Sequence, residues 1–415
     1  MRSQSAPSEL RLLLLVSAVQ FVNILDFMMV MPLGPDFARE LQISLSHLGW
    51  IGGSYTAAAA ISSLLSSRFL DRFDRRSALA VAMLGLVFGT ACGGFAQGLP
   101  TLLLARVIAG AFGGPATSLS LSIIADVIPP ARRGRALGVV MGAFSVASVL
   151  GVPAGLELAR LGGWRLPFFA LAALGIVVAA SAIFLMPALR LHLAGSAQPV
   201  HSQLGRFLAD RTVLFALVAT FTVMMAAFAV IPNISSYVQG NLGYPREQLG
   251  VLYLAGGSVS FVAMRVMGRY VDRFGAAFVS ALGTALFVAV LGGAFLYEWK
   301  LPAMLIFVTF MTAMALRNVS LSTLSTRVPA PYERARFLSI QSAVQHIASA
   351  LGAFVSAQLL RERADHTLEG MPRVAALSIT LALALPLLLQ HIERRLRERE
   401  AQTQPQPDVA SALSS

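Results

Sequence analysis

Runs of roughly 20 apolar residues, recurring along almost the whole chain, constrain this sequence more than any other feature in it. At about 1.5 Å per residue a helix of that length matches the hydrocarbon thickness of a bilayer. Inside hydrocarbon only helices and closed barrels satisfy their own backbone polar groups. The runs are too long for barrel strands, so the sequence predicts an all-α membrane protein. Composition agrees. The chain is 56% hydrophobic and 13% charged, about half the charged share of an ordinary soluble domain.

Hydropathy places twelve transmembrane helices over 11–33, 47–68, 77–97, 101–127, 134–158, 164–187, 211–234, 246–268, 275–296, 301–326, 334–360 and 373–391. The expected organisation is a six-helix bundle over 1–189, a cytoplasmic linker over 190–210, a second six-helix bundle over 211–392 and a disordered cytoplasmic tail over 393–415. The first apolar run, Leu12 to Leu33, is too long for a signal-peptide core and contains Asp26, so it is read as a retained membrane helix. The single cysteine, Cys92, lies in an apolar run, which leaves no intrachain disulfide and no cysteine metal site. No metal or other cofactor is implied.

The formal charge is +12, nearly all of it arginine. Nucleic-acid binding is one reading of such a balance, but the positions of the charges oppose it. With both termini in the cytoplasm, the inner loops and ends hold 21 Lys and Arg and the outer loops hold eight. That asymmetry marks a cytoplasmic side. It points to the inner membrane of a bacterium, with the lipid bilayer rather than nucleic acid as the partner.

The two halves repeat. Asp71-Arg72-Phe73 recurs as Asp272-Arg273-Phe274, Arg133-Gly134-Arg135 as Arg334-Ala335-Arg336, and Pro130 as Pro331, all at one offset of 201 residues. Parallel six-helix repeats are a plan of secondary transporters. Further motifs agree. Ser67 to Arg76 is similar to the Gly-x-x-x-Asp-Arg-x-Gly-Arg-Arg loop signature of the major facilitator superfamily, with Ser67 and Asp74 standing for its glycines. The second copy keeps Gly268, Asp272, Arg273 and Gly275. Arg106 to Gly110 resembles the family's Arg-x-x-x-Gly motif. Gly151, Pro153 and Gly155, with Gly163-Trp164-Arg165, resemble the Gly-Pro stretch of its antiporter branches. The chain thus resembles this superfamily over its whole length, with a flavour of drug-proton antiporters and sugar-efflux permeases.

Asp26 is the sharpest candidate for chemistry, flanked by Ile24, Leu25, Phe27 and Met28. A carboxylate in hydrocarbon is costly and is functional by default. Burial raises a carboxylate's pKa and a nearby guanidinium lowers it, so alternation between such surroundings loads and releases a proton. Arg106 lies at the same depth in predicted helix 4 and is its expected partner. Gln20 and Asn23 share an arc of about 120° with Asp26. The resemblance implies that helices 1, 4, 7 and 10 line a central cavity, which adds Arg317 and Asn318 as candidates for an anionic or polar substrate group. On helix 11, Ser342, His346 and Ser349 share one face beside Gln341 and Gln345, either lining the pathway or joining helices.

Asp71 and Asp272 follow helices 2 and 8, where a carboxylate can cap the next helix. The resemblance implies a breakable latch built from Asp71, Arg72, Arg75, Arg76, Asp126, Arg133 and Arg135, repeated as Asp272, Arg273, Arg334 and Arg336. Gly85/Gly89, Gly110/Gly114 and Gly138/Gly142 are candidate close-packing pairs. No P-loop, metal cluster or nucleophile–base arrangement is present, so an enzyme is not expected. Uphill transport then draws on an ion gradient, of protons or alternatively sodium. The expectation is a monomeric exporter of a small molecule, drug-like or a sugar or metabolite, by proton antiport. Uptake by symport or facilitated diffusion on the same fold stays open. A non-transporting sensor would need a long soluble domain.

Overall fold

The computed structural model describes residues 9–66, 70–189, 207, 209–297, 299–329 and 334–403. Most of the expected 190–210 linker, residues 404–415, and the side chains of Asp71, Arg133 and Arg334 lie outside it. The described part is helical apart from one two-residue strand pair, Arg361–Glu362 with Leu368–Glu369.

Helix 1 spans Glu9–Val30, helix 2 Leu48–Ser66, helix 3 Arg75–Gly94 and helix 4 Leu99–Val127. Helix 5 runs through Pro130–Met141 and Ala143–Val146, then a wide π-turn at Ala147–Gly151, then Val152–Gly162. Helix 6 is Arg165–Leu185, helix 7 Arg211–Gly240, helix 8 Leu249–Phe274 and helix 9 Ala276–Leu291, the last continued by a second π-turn at Gly292–Leu296. Helix 10 is Ala303–Ser325, helix 11 Arg334–Leu359 and helix 12 Met371–Thr403. Eleven of these are long and apolar enough to cross a membrane. Helix 2 has the length, but its Gly, Ser and Thr content dilutes its hydropathy.

The first eleven residues of the expected disordered tail, 393–403, are instead the end of helix 12. Two of its arginines pair with carboxylates. Arg394 pairs with Glu398 one turn on at 3.0 Å, and Arg399 reaches Asp210 at 2.8 Å. Such i,i+4 pairs support an exposed helix. Helix 1 ends at Val30 rather than at 33, and after a turn over 31–33 the short helix Gly34–Glu40 follows.

Helix 1 starts and helix 12 ends on one face of the molecule, called here the terminal face. On the other face the two halves close on each other. Helix 2 packs along helix 11, with Gly49 against the Ala353 carbonyl and Gly53 against the Phe354 ring. Helix 8 meets helix 5 through Gly257, where an added Cβ would lie 3.1 Å from the Ser148 carbonyl oxygen. Asp36 accepts from Arg246 Nε at 2.8 Å, and the Leu45 N–H donates to Glu362 Oε2 at 2.7 Å. Nearer the terminal face Gly138 of helix 5 and Gly268 of helix 8 face open space, with no neighbour within 4 Å of an added Cβ. The described ion pairs there, Arg132–Glu9 at 2.8 Å, Arg75–Asp126 at 3.2 Å and Arg399–Asp210, each join helices of one half.

Candidate functional site

Asp26 and Arg106 meet inside the first half. Asp26 is fully buried and Arg106 is 1% exposed. Arg106 Nη1 donates to Asp26 Oδ2 at 3.0 Å, and Nη2 lies 3.4 Å from the Asp26 carbonyl oxygen. The second carboxylate oxygen has Thr90 Oγ1 at 2.7 Å. That hydroxyl also lies 2.9 Å from the Leu86 carbonyl. A hydroxyl has one proton to give, so Thr90 donates either to Asp26 or to Leu86. Its choice follows whether Asp26 is an acceptor only.

The pair is braced from two more helices. The Arg106 guanidinium lies over the Tyr55 ring, 4.6 Å from its centroid. Tyr55 OH donates to Asn23 Oδ1 at 2.8 Å, and Asn23 Nδ2 donates to the Gly113 carbonyl at 3.0 Å and Thr117 Oγ1 at 2.7 Å. Gly113 permits this crossing, since an added Cβ would stand 2.7 Å from Asn23 Oδ1. Helices 1, 2, 3 and 4 are thus tied at one level. A buried ion pair adds little net stability against a well-packed apolar alternative. Retaining one in hydrocarbon therefore asks for another reason.

Tyr55, Thr90 and Thr117 are absent from the residues that the sequence singles out. Depth would have found two of them. Thr90 stands four residues before the end of helix 3, as Asp26 does in helix 1. Tyr55 stands seven residues into helix 2, as Arg106 does in helix 4.

The other candidates separate. Gln20 is buried on helix 1 with Oε1 unpartnered. Gln341 bonds Thr220 Oγ1 at 3.0 Å and Ser325 Oγ at 2.8 Å, tying helix 11 to helices 7 and 10. Asn318, Gln345 and His346 are half-buried. Arg317 is fully buried beside helix 9, with its guanidinium 4.3 Å from the Phe287 centroid.

The terminal-face charges correct one expectation. The cap of helix 3 is Asp74, not Asp71. Its Oδ1 accepts from the Arg76 N–H at 2.9 Å and from the Leu189 N–H at 3.1 Å. The start of helix 9 is served by Glu393 of helix 12, whose Oε1 accepts from the Ala276 N–H, while Asp272 is exposed. A helix start attracts whichever carboxylate reaches its free N–H groups. Asp74 is one residue from helix 3, whereas Asp71 and Asp272 are three or more away. Arg75 pairs with Asp126, and Arg76 Nη1 donates to the Met186 carbonyl at 3.3 Å. Arg72, Arg135 and Arg273 are exposed, and Arg336 lies 5.9 Å from the Phe207 ring centroid.

Gly151, Pro153 and Gly155 sit at the π-turn of helix 5, against helix 1. Added Cβ atoms at Gly151 and Gly155 would stand 2.8 Å from a Leu25 methyl and 2.9 Å from the Met29 sulfur, either side of Asp26. Of the three glycine pairs, Gly85/Gly89 packs on helix 4 and Gly110/Gly114 on helix 2, whereas Gly138 faces open space.

Two pseudo-repeated sets of six helices, closed at one face and built around a buried acid–base pair, define a polytopic membrane transporter. A sequence model of the Major Facilitator Superfamily matches residues 16–353 and again 216–410, so the chain belongs to that superfamily. It is 28% identical over 380 residues to a chloramphenicol resistance protein of Streptomyces lividans, covering 91% of this chain and 94% of the relative. It is 29% identical to a purine ribonucleoside efflux pump of Escherichia coli O6:K15:H31, covering 81% and 84%. The crystal structure of a D-xylose-proton symporter superposes with a TM-score of 0.71 at 20% identity, over 91% of this chain and 97% of that one. The chain is an integral membrane transporter of a small molecule, not an enzyme.

Proposed function

We propose that this transporter is a proton-driven exporter, with Asp26 as its proton site and Arg106 as the counter-ion that proton binding releases. The buried Asp26–Arg106 pair carries the reading. It is a titratable acid and its compensating cation, in a helix 1 that also packs on helix 5 beside the bundle interface. The names of the two relatives, a resistance protein and an efflux pump, support outward transport. Arginine asymmetry supports a terminal face in the cytoplasm and residence in a bacterial inner membrane. In that orientation the arrangement is inward-open, with the outer ends of the halves in contact. The substrate class is a small drug-like molecule, sugar or metabolite, and the monomer holds every part of the site.

In this state Asp26 is held by Arg106 and Thr90. Substrate enters from the cytoplasm, and the halves rock to expose the site outward. A proton from outside then neutralises Asp26. Its hold on Arg106 weakens, and the Thr90 hydroxyl turns to the Leu86 carbonyl. Return to the inward-open state releases the proton inside. A proton suits this site better than sodium. It needs one lone pair, whereas sodium needs several oxygens and would sit against a guanidinium.

Asp26→Asn keeps the shape and a hydrogen bond to Arg106 but cannot titrate. In proteoliposomes with an imposed pH gradient, wild type should move substrate opposite to the proton flow, and Asp26→Asn should lose that dependence while folding normally. Gradient-driven transport by Asp26→Asn would sink the assignment. Substrate moving with the protons would make the protein a symporter.

A further inference from the structure

Among the described residues Arg317 is a cation with no anion. It is fully buried in helix 10, and its Nε and Nη2 atoms have no hydrogen-bond partner. Nη1 has only the Met314 sulfur, at 3.8 Å. The ring of Phe287 covers one face of the guanidinium, so what remains free is the Nε/Nη2 edge. That is one of the forks with which arginine grips an anion through two parallel hydrogen bonds.

The neighbouring helix offers more donors and no acid. Ser280, Gly283, Thr284 and Phe287 fall on one face of helix 9. This face is turned to helix 10, for an added Cβ on Gly283 would lie 3.1 Å from Arg317 Cγ. Ser280 and Thr284 are buried, and neither hydroxyl has a partner. A carboxylate from the same bundle does not supply the charge. Helices 7, 9, 10 and 11 contain no Asp or Glu, Asp272 of helix 8 is exposed near its end, and the acids of helix 12 begin at Glu393. An uncompensated charge at such a place costs several kcal/mol. An unfilled guanidinium fork, two unpartnered hydroxyls able to donate and no carboxylate acceptor among the described groups describe a site for an anion.

We propose that Arg317, with the Ser280 and Thr284 hydroxyls, binds a small inorganic anion of the size of chloride between helices 9 and 10. The guanidinium holds it through Nε and Nη2, and the hydroxyls complete its shell. The full burial of Arg317 between two packed helices excludes a bulky organic anion. The site is separate from Asp26, and its test does not depend on transport.

The test is thermal unfolding of the purified full-length protein in detergent, in sodium chloride against sodium gluconate at equal ionic strength. Wild type should gain a saturable increase in melting temperature from chloride, of roughly 3 °C at a hundredfold excess over its dissociation constant. Arg317→Gln should abolish the increase. Thr284→Val, which keeps the charge and the volume, should raise the chloride concentration needed by tenfold or more. Bromide should replace chloride and appear in anomalous diffraction beside Arg317. Equal melting in chloride and gluconate would overturn the proposal, as would an unchanged chloride response in Thr284→Val. If Arg317→Gln does not fold, the Thr284→Val titration and the bromide position decide the matter.

Discussion

The two halves each bury an arginine, and they neutralise it differently. In the first half Arg106 meets Asp26 at 3.0 Å and lies over Tyr55. In the second half Arg317 lies over Phe287 with its fork unfilled and no Asp or Glu on helices 7, 9, 10 or 11. Both use an aromatic face to shield one side of the guanidinium, in the manner of a cation–π contact. Only the first has its counter-charge among the described residues. Duplication has therefore kept the scaffold while letting the electrostatics diverge. One half pairs its buried arginine with a buried acid, and the other leaves its arginine without a carboxylate among the described residues.

The sharpest way to break this contrast is to replace each arginine by methionine and melt both proteins in chloride-free buffer. Arg106→Met leaves Asp26 buried and unpaired, and should cost about 3–5 kcal/mol. Arg317→Met removes a charge that had no partner, and should stay within about 1 kcal/mol of wild type or exceed it. Equal losses would show that Arg317 is compensated after all. Next in size is Tyr55→Phe, which removes the hydroxyl that fixes Asn23. It should lower stability by about 1 kcal/mol and leave the direction of gradient-driven transport unchanged. A reversal or loss of coupling would make Tyr55 part of the proton path.

Smaller effects belong to the closed face. Asp36→Asn removes one charge of the Arg246 pair between the halves. A partly exposed ion pair is worth about 1 kcal/mol or less. Spin labels on the outer ends of helices 2 and 11 should therefore report a modest broadening toward longer distances, and an unchanged distribution would deny the pair a part in closure. The smallest effect is that of acid on Glu362. Desolvation pushes its carboxyl up, but the hydrogen bonds from His366, the Leu45 N–H and the Ser44 hydroxyl together hold it below the usual 4.5. A depressed carboxylate contributes stability above its unfolded value and loses it as pH falls through the folded one. The same label distances should be steady from neutrality down to about 4.5 and loosen only beneath it. Loosening already at pH 6 would place the switch elsewhere.

Much of this was legible in the sequence because bilayer thickness leaves a helix few options. The apolar runs located the helices, and the 201-residue offset exposed the duplication. Equal depth matched Asp26 to Arg106. What stayed hidden depended on which helix comes near which. Thr90 and Tyr55 look like ordinary helix residues until helices 2 and 3 are laid beside helix 1. Asp74 reads as a departure from a glycine motif, yet it is the cap of helix 3. Glu393 lies 117 residues from the helix start that it serves, a distance that no local pattern spans. The ordered end of helix 12 was missed for a related reason. Its charges suggest a solvated tail, but Arg394 pairs with Glu398 and Arg399 with Asp210.

Helix 5 also has a consequence for how the chain tolerates change. Its π-turn at Ala147–Gly151 accommodates one residue more than an α-helix of the same rise. Deleting one residue there would restore regular winding and leave the two ends of the helix close to their present phase, whereas a deletion in the regular part would rotate one end against the other by about 100°. Arg135 and the terminal-face half of the helix would keep their present facing after the first deletion and lose it after the second. The surplus residue is slack in the winding, so length should be more negotiable at this point than elsewhere along the helix.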